Sequence, residues 1–139
     1  MKPNELAEIH RQAMTVPVAW PAVTFEGFLA APNAILAHHN TGFALGRVIA
    51  DEAELLTIAV VPGEQGKGVG RICLSEFEIQ AQKLGAKCAF LEVASTNAAA
   101  LNLYKSADWT EIGVRKRYYT SPDGTKIDAI TMQKHLGRA

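Results

Sequence analysis

Residues 58–71, IAVVPGEQGKGVGR, join a short apolar run to a glycine-rich turn and then to the start of an amphipathic segment. Gly66, Gly68 and Gly70 stand at the mouth of a helix expected over 69–84. Glycines there remove the Cβ atoms that would hold an anion away. Backbone N–H groups and the positive helix end then face whatever sits at the turn, and Lys67 and Arg71 add charge near a phosphate. An ordinary strand-to-helix turn has a similar composition. Two familiar phosphate loops do not fit. A P-loop needs four residues between its first Gly and its Gly-Lys pair, and only two separate Gly63 from Gly66-Lys67. The dinucleotide loop GxGxxG follows the first strand of its fold, whereas Gly66-x-Gly68-x-Gly70 is one residue shorter and lies mid-chain.

Working outward, Leu55–Val61 lacks the alternation of a half-solvated strand, as expected for one buried on both faces. Ala34–His39 and Phe43–Asp51 are strand-like runs split by Asn40-Thr41-Gly42, a hairpin signal. Two helices precede them. One covers 4–14, with Leu6, Ile9, Ala13 and Met14 on one side and Asn4 as its cap; the other lies near 22–30. A turn or short extended piece across Val16–Trp20, interrupted by Pro17 and followed by Pro21, connects them. Beyond the turn, the helix over 69–84 buries Val69, Ile72, Cys73, Phe77 and Leu84 and ends at Gly85. Cys88–Val93 is a second buried strand, and Asn97 caps a short helix over 98–106. Trp109–Tyr119 and Ile127–His135 form a terminal hairpin around Ser121-Pro122-Asp123-Gly124. The order is that of a mixed α/β domain. No repeat or linker divides it, so residues 1–139 are expected to form one domain.

The chain has 139 residues, 48% apolar and 20% charged, with fourteen cations against fourteen anions. That length builds a core without disulfide or metal staples. The neutral balance argues against duplex nucleic acid or an anionic membrane as the main partner. No apolar run approaches the ~20 residues that cross a bilayer, and the start, MKPNELAEIHRQAM, is polar and amphipathic rather than a secretory signal. Cys73 and Cys88 have no CxxC spacing and are expected as reduced, buried thiols of a cytoplasmic protein. Adjacent His38 and His39 point to opposite faces of a strand, so no metal site is expected.

Residues 90–109, FLEVASTNAAALNLYKSADW, carry the second cluster. Glu92 lies in an apolar strand, where a carboxylate must be paired, solvated or used. Asn97 is explained as a helix cap, and Tyr104, two turns on, shares its face. A tyrosine there is either a packing residue with a satisfied hydroxyl or a working group. In 114–132, VRKRYYTSPDGTKIDAITM, the Tyr118-Tyr119 pair precedes the final turn, a place that strand propensity also explains.

Gln65-x-x-Gly68-x-Gly70, following Ile58, Ala59 and Val60, resembles the acetyl-CoA pyrophosphate loop of the GNAT acetyltransferases, whose pattern is Gln/Arg-x-x-Gly-x-Gly/Ala. Asn97-x-x-Ala100-x-x-Leu103-Tyr104 resembles the last motif of that family. From about residue 34 onward the chain is similar to the RimI-type branch, which acetylates the N-terminal alanine of ribosomal proteins. The resemblance implies a GNAT fold, a mixed central sheet with helices on both faces, with acetyl-CoA as donor and no metal. It implies that Ile58, Ala59, Val60, Gln65, Gly66, Lys67, Gly68, Val69, Gly70 and Arg71 hold acetyl-CoA and that Asn97 contacts its pantetheine arm. Glu92 takes the position of the general base and Tyr104 that of the general acid, while Tyr118 and Tyr119 take those that hold a peptide backbone. The family usually has Gly-Phe after the Leu-Tyr helix, where this chain has Asp108-Trp109; an Asp can adopt the left-handed conformation required there. The implied acceptor is a protein N-terminal α-amine, with a lysine or small-molecule amine as the alternative. Glu26, Glu52 and Glu54 either attract a cationic acceptor or are solvated surface. An acyl-CoA-binding sensor without catalysis would need the glycine loop but neither Glu92 nor Tyr104. Monomer and homodimer are both compatible with the sequence.

Overall fold

The computed structural model describes residues 1–14 and 18–137. Helices α1 (Pro3–Ala13) and α2 (Ala22–Ala30) lead the chain, followed by strands β1 (Ala34–His39), β2 (Gly42–Ile49) and β3 (Glu52–Val60). A 3-10 turn at Pro62–Glu64 leads to α3 (Val69–Lys83), β4 (Cys88–Ala94), α4 (Ala98–Ser106), β5 (Thr110–Thr120) and β6 (Lys126–His135). The six strands form one sheet in the order β1-β2-β3-β4-β6-β5. Every neighbouring pair is antiparallel except β3 and β4. Helices α1 and α2 cover one face, where Leu6 and Phe25 meet Phe43, Leu45 and Ala59. Helices α3 and α4 cover the other, where Leu74, Phe77 and Tyr104 join Leu91, Trp109 and Met132. The mixed sheet with helices on both faces is thus the arrangement expected. The connection across Val16–Trp20 lies in part outside the described residues.

Two β-bulges shape the site. In the β2–β3 ladder Leu45 opposes Thr57 while Gly46 opposes Leu55, so Leu56 is an extra residue. The bulge reverses which face each side chain takes. Ala53 and Leu55 pack under α3, whereas beyond Leu56 it is Ile58 and Val60 that do so, and Ala59 turns toward α1 and α2. The missing alternation of Leu55–Val61 thus matches a strand covered on both faces, with the phase switch at Leu56 deciding which side chains meet which helices; Glu52 and Glu54, at the start of the longer observed strand, are exposed. The bulge also bends β3 away from its neighbour. β3 and β4 pair only from Glu52–Cys88 to Glu54–Phe90 and then part. At the other end of the sheet, Arg115 opposes Ala129 and Tyr119 opposes Ile127, so Lys116, Arg117 and Tyr118 face the single residue Asp128. Asp128 ties this bulge down: its Oδ1 accepts from the Arg117 N–H at 2.8 Å and its Oδ2 lies 3.4 Å from Lys116 Nζ.

Several sequence expectations are corrected. Lys2 rather than Asn4 occupies the cap position of α1, because Pro3 suits the first helical residue. In α3, Ile72 and Leu84 are 46% and 42% exposed, and Leu74 and Ala81 turn inward with Val69, Cys73 and Phe77. At 100° per residue Ile72 falls about 140° from the centre of that stripe, and Leu84 already lies past the last helical residue. Phe77 is fully buried against β2 because Gly46 leaves room; a Cβ there would collide with the Phe77 ring and the Glu54 carbonyl. Cys73 is a buried free thiol, while Cys88 is only half-buried. Asp108 does take a left-handed φ of +71°. It delivers Trp109 to the core at 2% exposure, where Nε1 donates to Glu78 Oε2 at 3.2 Å and Lys134 Nζ pairs with Glu78 Oε1 at 2.6 Å.

Candidate active site

Where β3 and β4 part, a cavity of about 70 Å³ passes through the sheet. Leu56, Thr57 and Ile58 line it from β3, Glu92, Val93 and Ala94 from β4, Asn97, Ala100 and Tyr104 from the α4 side, and Tyr119 from β5. His10, Met14 and Trp20 close it on the α1 side. Five of the residues singled out from sequence meet here: Ile58, Glu92, Asn97, Tyr104 and Tyr119.

Alternation along β3 fixes its free edge. Val61 N–H bonds the Thr41 carbonyl on the β2 side at 3.0 Å. By alternation Ala59 also faces β2, whereas the peptide groups of Ile58 and Val60 face the gap. The Val60 carbonyl accepts from Gln65 Nε2 at 3.2 Å, so Gln65 folds back to secure the strand end. Ala59 has its side chain buried under α1 and α2 and its backbone turned from the gap.

The glycine loop fits a pyrophosphate. Gly66 and Gly68 have φ of +82° and +86°, and a Cβ built on either meets nothing within 4 Å, so open space lies over the loop. Gly68 occupies the cap position of α3 and supplies no side-chain acceptor, leaving the first-turn amides beginning at Val69 without a side-chain partner. Gly70 packs closely on α4, with Leu103 Cδ2 3.4 Å from a Cβ placed there. Lys67 is exposed and pairs with Glu64 at 2.8 Å, and Arg71 donates to Ser106 Oγ on α4. Among the described residues no group of three or more His, Cys, Asp and Glu side chains is arranged to hold a metal.

Glu92 points into the cavity from the face carrying α1 and α2, because Ala89, Leu91 and Val93 take the opposite face of β4. Its Oε2 is buried and receives no hydrogen bond, although Arg115 Nε stands 2.7 Å away as an ion pair. That N–H is not aimed at the oxygen, so charge is balanced but the acceptor is not satisfied. Tyr104 is 5% exposed, and burial, with Tyr119 nearby, pushes its phenol well above the ordinary value. Tyr119 is pushed up to about 12, first by burial and then by the Glu92 carboxylate. Both phenols hold their protons at neutral pH. Asn97 Oδ1 caps α4 by accepting from Ala100 N–H at 3.1 Å, and the residue also lines the cavity. Tyr118 points elsewhere: it is 51% exposed, with its ring edge-on to Tyr119 at 5.1 Å. Glu26, Glu52 and Glu54 are exposed and outside the cavity lining, with Glu54 held by Arg47 at 3.0 Å.

The α1 side was not legible from motifs. His10 is 1% exposed; its Nδ1 accepts from Trp20 N–H at 2.8 Å, which leaves Nε2–H to donate to Thr57 Oγ1 at 2.9 Å. Burial pulls its pKa down to about 4, so the ring is neutral and ties the α1 wall to the bulge of β3. The one available signal was spacing, since His10 stands four residues after buried Leu6 on the same stripe.

The family model described as Acetyltransferase (GNAT) family matches residues 6–109. A ribosomal protein bS18-alanine N-acetyltransferase of Haemophilus influenzae is 33% identical over 135 residues, 96% of this chain and 92% of the relative. An N-alpha-acetyltransferase RimI of Mycobacterium tuberculosis is 34% identical over 140 residues, 94% of this chain and 85% of the relative. The crystal structure of the ribosomal-protein-S18-alanine N-acetyltransferase from Escherichia coli superposes with a TM-score of 0.86 at 32% identity, covering 99% of this chain and 89% of that one. A GNAT-type sheet parted by a bulge, a glycine loop with open space above it and a carboxylate in the gap accompany these matches, and the chain belongs to the GNAT family of acetyltransferases.

Proposed function

We propose that residues 1–139 act as one cytoplasmic domain that acetylates the α-amine of a protein N-terminus, in the first instance an N-terminal alanine of a ribosomal protein. The observation that carries this reading is the cavity between β3 and β4, where Glu92, Tyr104 and Tyr119 converge beside the free edge at Ile58 and Val60. The named activities of the Haemophilus and Mycobacterium relatives support the choice of acceptor. Acetyl-CoA supplies the acetyl group, activated as a thioester. The first-turn amides of α3 and the Gly66–Gly70 loop hold a pyrophosphate, and Asn97 and the edge groups of Ile58 and Val60 bind an amide-rich arm running along the gap.

An N-terminal amine has a pKa near 8 and enters mostly as an ammonium ion. Glu92 receives it, takes its proton directly or through one water, and leaves a neutral nucleophile. The inward amide of Ile58 or Val60 is positioned to donate to a carbonyl oxygen that gains negative charge. Tyr104 holds a proton at Oη for the departing sulfur. Its raised pKa exceeds that of a thiol, ~8.5, so it keeps its proton while donating a hydrogen bond to the departing sulfur and gives the proton up late. Tyr119 presents its hydroxyl to the acceptor from β5, while Tyr118 supports its ring.

The test is thiol release from acetyl-CoA with short peptides bearing free or blocked N-termini, alongside spermidine and an aminoglycoside. Release with the free peptides alone is expected. Turnover confined to the small amines would replace the acceptor, and CoA binding without turnover of any amine would favour the sensor reading.

A further inference from the structure

The carboxylate of the site already has a cationic neighbour in the resting protein. Arg115 reaches back from β5 to place Nε 2.7 Å from Glu92 Oε2, and its guanidinium carbon lies 5.2 Å from the centre of the Tyr118 ring. The two partners are unequally placed: the Arg115 side chain is 61% exposed and that of Glu92 28%. The pair balances the charge, yet the buried Oε2 still lacks a hydrogen bond. A buried carboxylate oxygen is costly on both counts, and Arg115 relieves only one. The adjacent cation, Lys116, is engaged with Asp128.

We infer that Arg115 is a placeholder counter-ion, holding Glu92 in the resting enzyme and yielding its position to the positively charged amine of the acceptor. This rests on the reading of Glu92 as the group that receives the acceptor. An ammonium ion brings three N–H donors on a compact head and supplies the hydrogen bond that the guanidinium leaves unmade. Arg115 can leave cheaply, since most of its surface is already in water and its ring partner, Tyr118, lies outside the cavity. With Arg115 itself mostly in water and its N–H not aimed at Oε2, the pair is weak enough for a bound cation to displace. While it persists it lowers apparent acceptor affinity by the fraction of molecules in which Glu92 is occupied. A blocked, neutral N-terminus brings no charge with which to displace it.

The test is steady-state kinetics on the full chain, using whichever acceptor the wild type turns over best in the panel above. Arg115→Met keeps an apolar stem against Tyr118 and removes the charge. It is expected to lower the acceptor KM by about two- to fivefold, the range an ion pair of this exposure allows, without changing the KM for acetyl-CoA. Arg115→Lys, which keeps the charge, is expected to stay near wild type. An acceptor KM that rises or is unchanged in Arg115→Met overturns the inference. A denaturant double-mutant cycle pairing Arg115→Met with Glu92→Gln reads the contact without any acceptor. Non-additive stabilities are expected, and strict additivity overturns the inference as well. If the panel selects a different amine, the N-terminal reading fails there, while the KM comparison on that amine still judges Arg115.

Discussion

In the proposed reaction Glu92 is the base, and its environment supports that role. It projects from a strand whose alternate side chains are core, into a cavity walled by Leu56, Val93 and Tyr119, with one oxygen buried. Replacing it by glutamine keeps the shape and removes the base. Turnover of Glu92→Gln is expected to fall by ~10²–10⁴, the usual contribution of a positioned base, with acetyl-CoA affinity unchanged by calorimetry. A tenfold loss of cofactor affinity at unchanged turnover would move Glu92 out of the chemistry. Local pattern marked Glu92 as a carboxylate in an apolar strand and Asn97 and Tyr104 as residues on one helix face, while their functional roles came only from the family resemblance. His10, Thr57 and Trp20 were not legible in sequence. They meet through a buried histidine joining segments 47 and 10 residues apart, and no local spacing encodes that.

At the scale of elements, the glycine loop and the two bulges have different legibility. The loop was read correctly as a strand-to-helix turn because glycine punctuation is local. Burial of Leu55–Val61 on both faces was legible, but the Leu56 bulge was not, since a switch of alternation leaves the same unbroken apolar run. The bulge opposite Asp128 was invisible until the pairing was known, and it separates Tyr119, turned into the cavity, from Tyr118, turned away. The loop prediction follows from its geometry. Gly68 has φ of +86° with open space around its Cβ position. Gly68→Val places a branched side chain where the phosphate approaches, at a backbone strain of ~1–2 kcal/mol. CoA binding in a titration is expected to be lost while the far-UV circular dichroism stays native. Unchanged binding would place the pyrophosphate elsewhere.

The described residues form two cores back to back on one sheet, and the candidate site lies where β3 and β4 part between them. The succession of helices and strands along the chain was readable because each element carries its own periodicity and caps, Asn97 and Gly85 among them. The gap was not, because it depends on where β3 and β4 stop pairing. No described helix is long and apolar enough to cross a membrane. Stability should report the joint between α1 and β3. His10 titrates near 4 in the folded chain against 6.5 ordinarily, so the unfolded chain binds the proton first as pH falls. The contribution is complete above about pH 6.5 and is lost as pH falls through 4, on the order of 3 kcal/mol in all. Glu8, Asp123 and Asp128, each lowered by hydrogen bonds, add a further loss at the acid end of that window as the unfolded carboxyls begin to protonate, and this part persists in His10→Phe. Urea midpoints between pH 7 and 4 are expected to fall in the wild type and to flatten in His10→Phe. A parallel slope in both would remove His10 from the account.

The most direct measurement is mass spectrometry of a peptide carrying both a free N-terminal alanine and an internal lysine, incubated with acetyl-CoA and either the wild type or Glu92→Gln. One acetyl group on the α-amine, formed by the wild type and nearly absent with the variant, is the predicted result. Acetylation of the lysine instead, or equal acetylation by the two proteins, would contradict it.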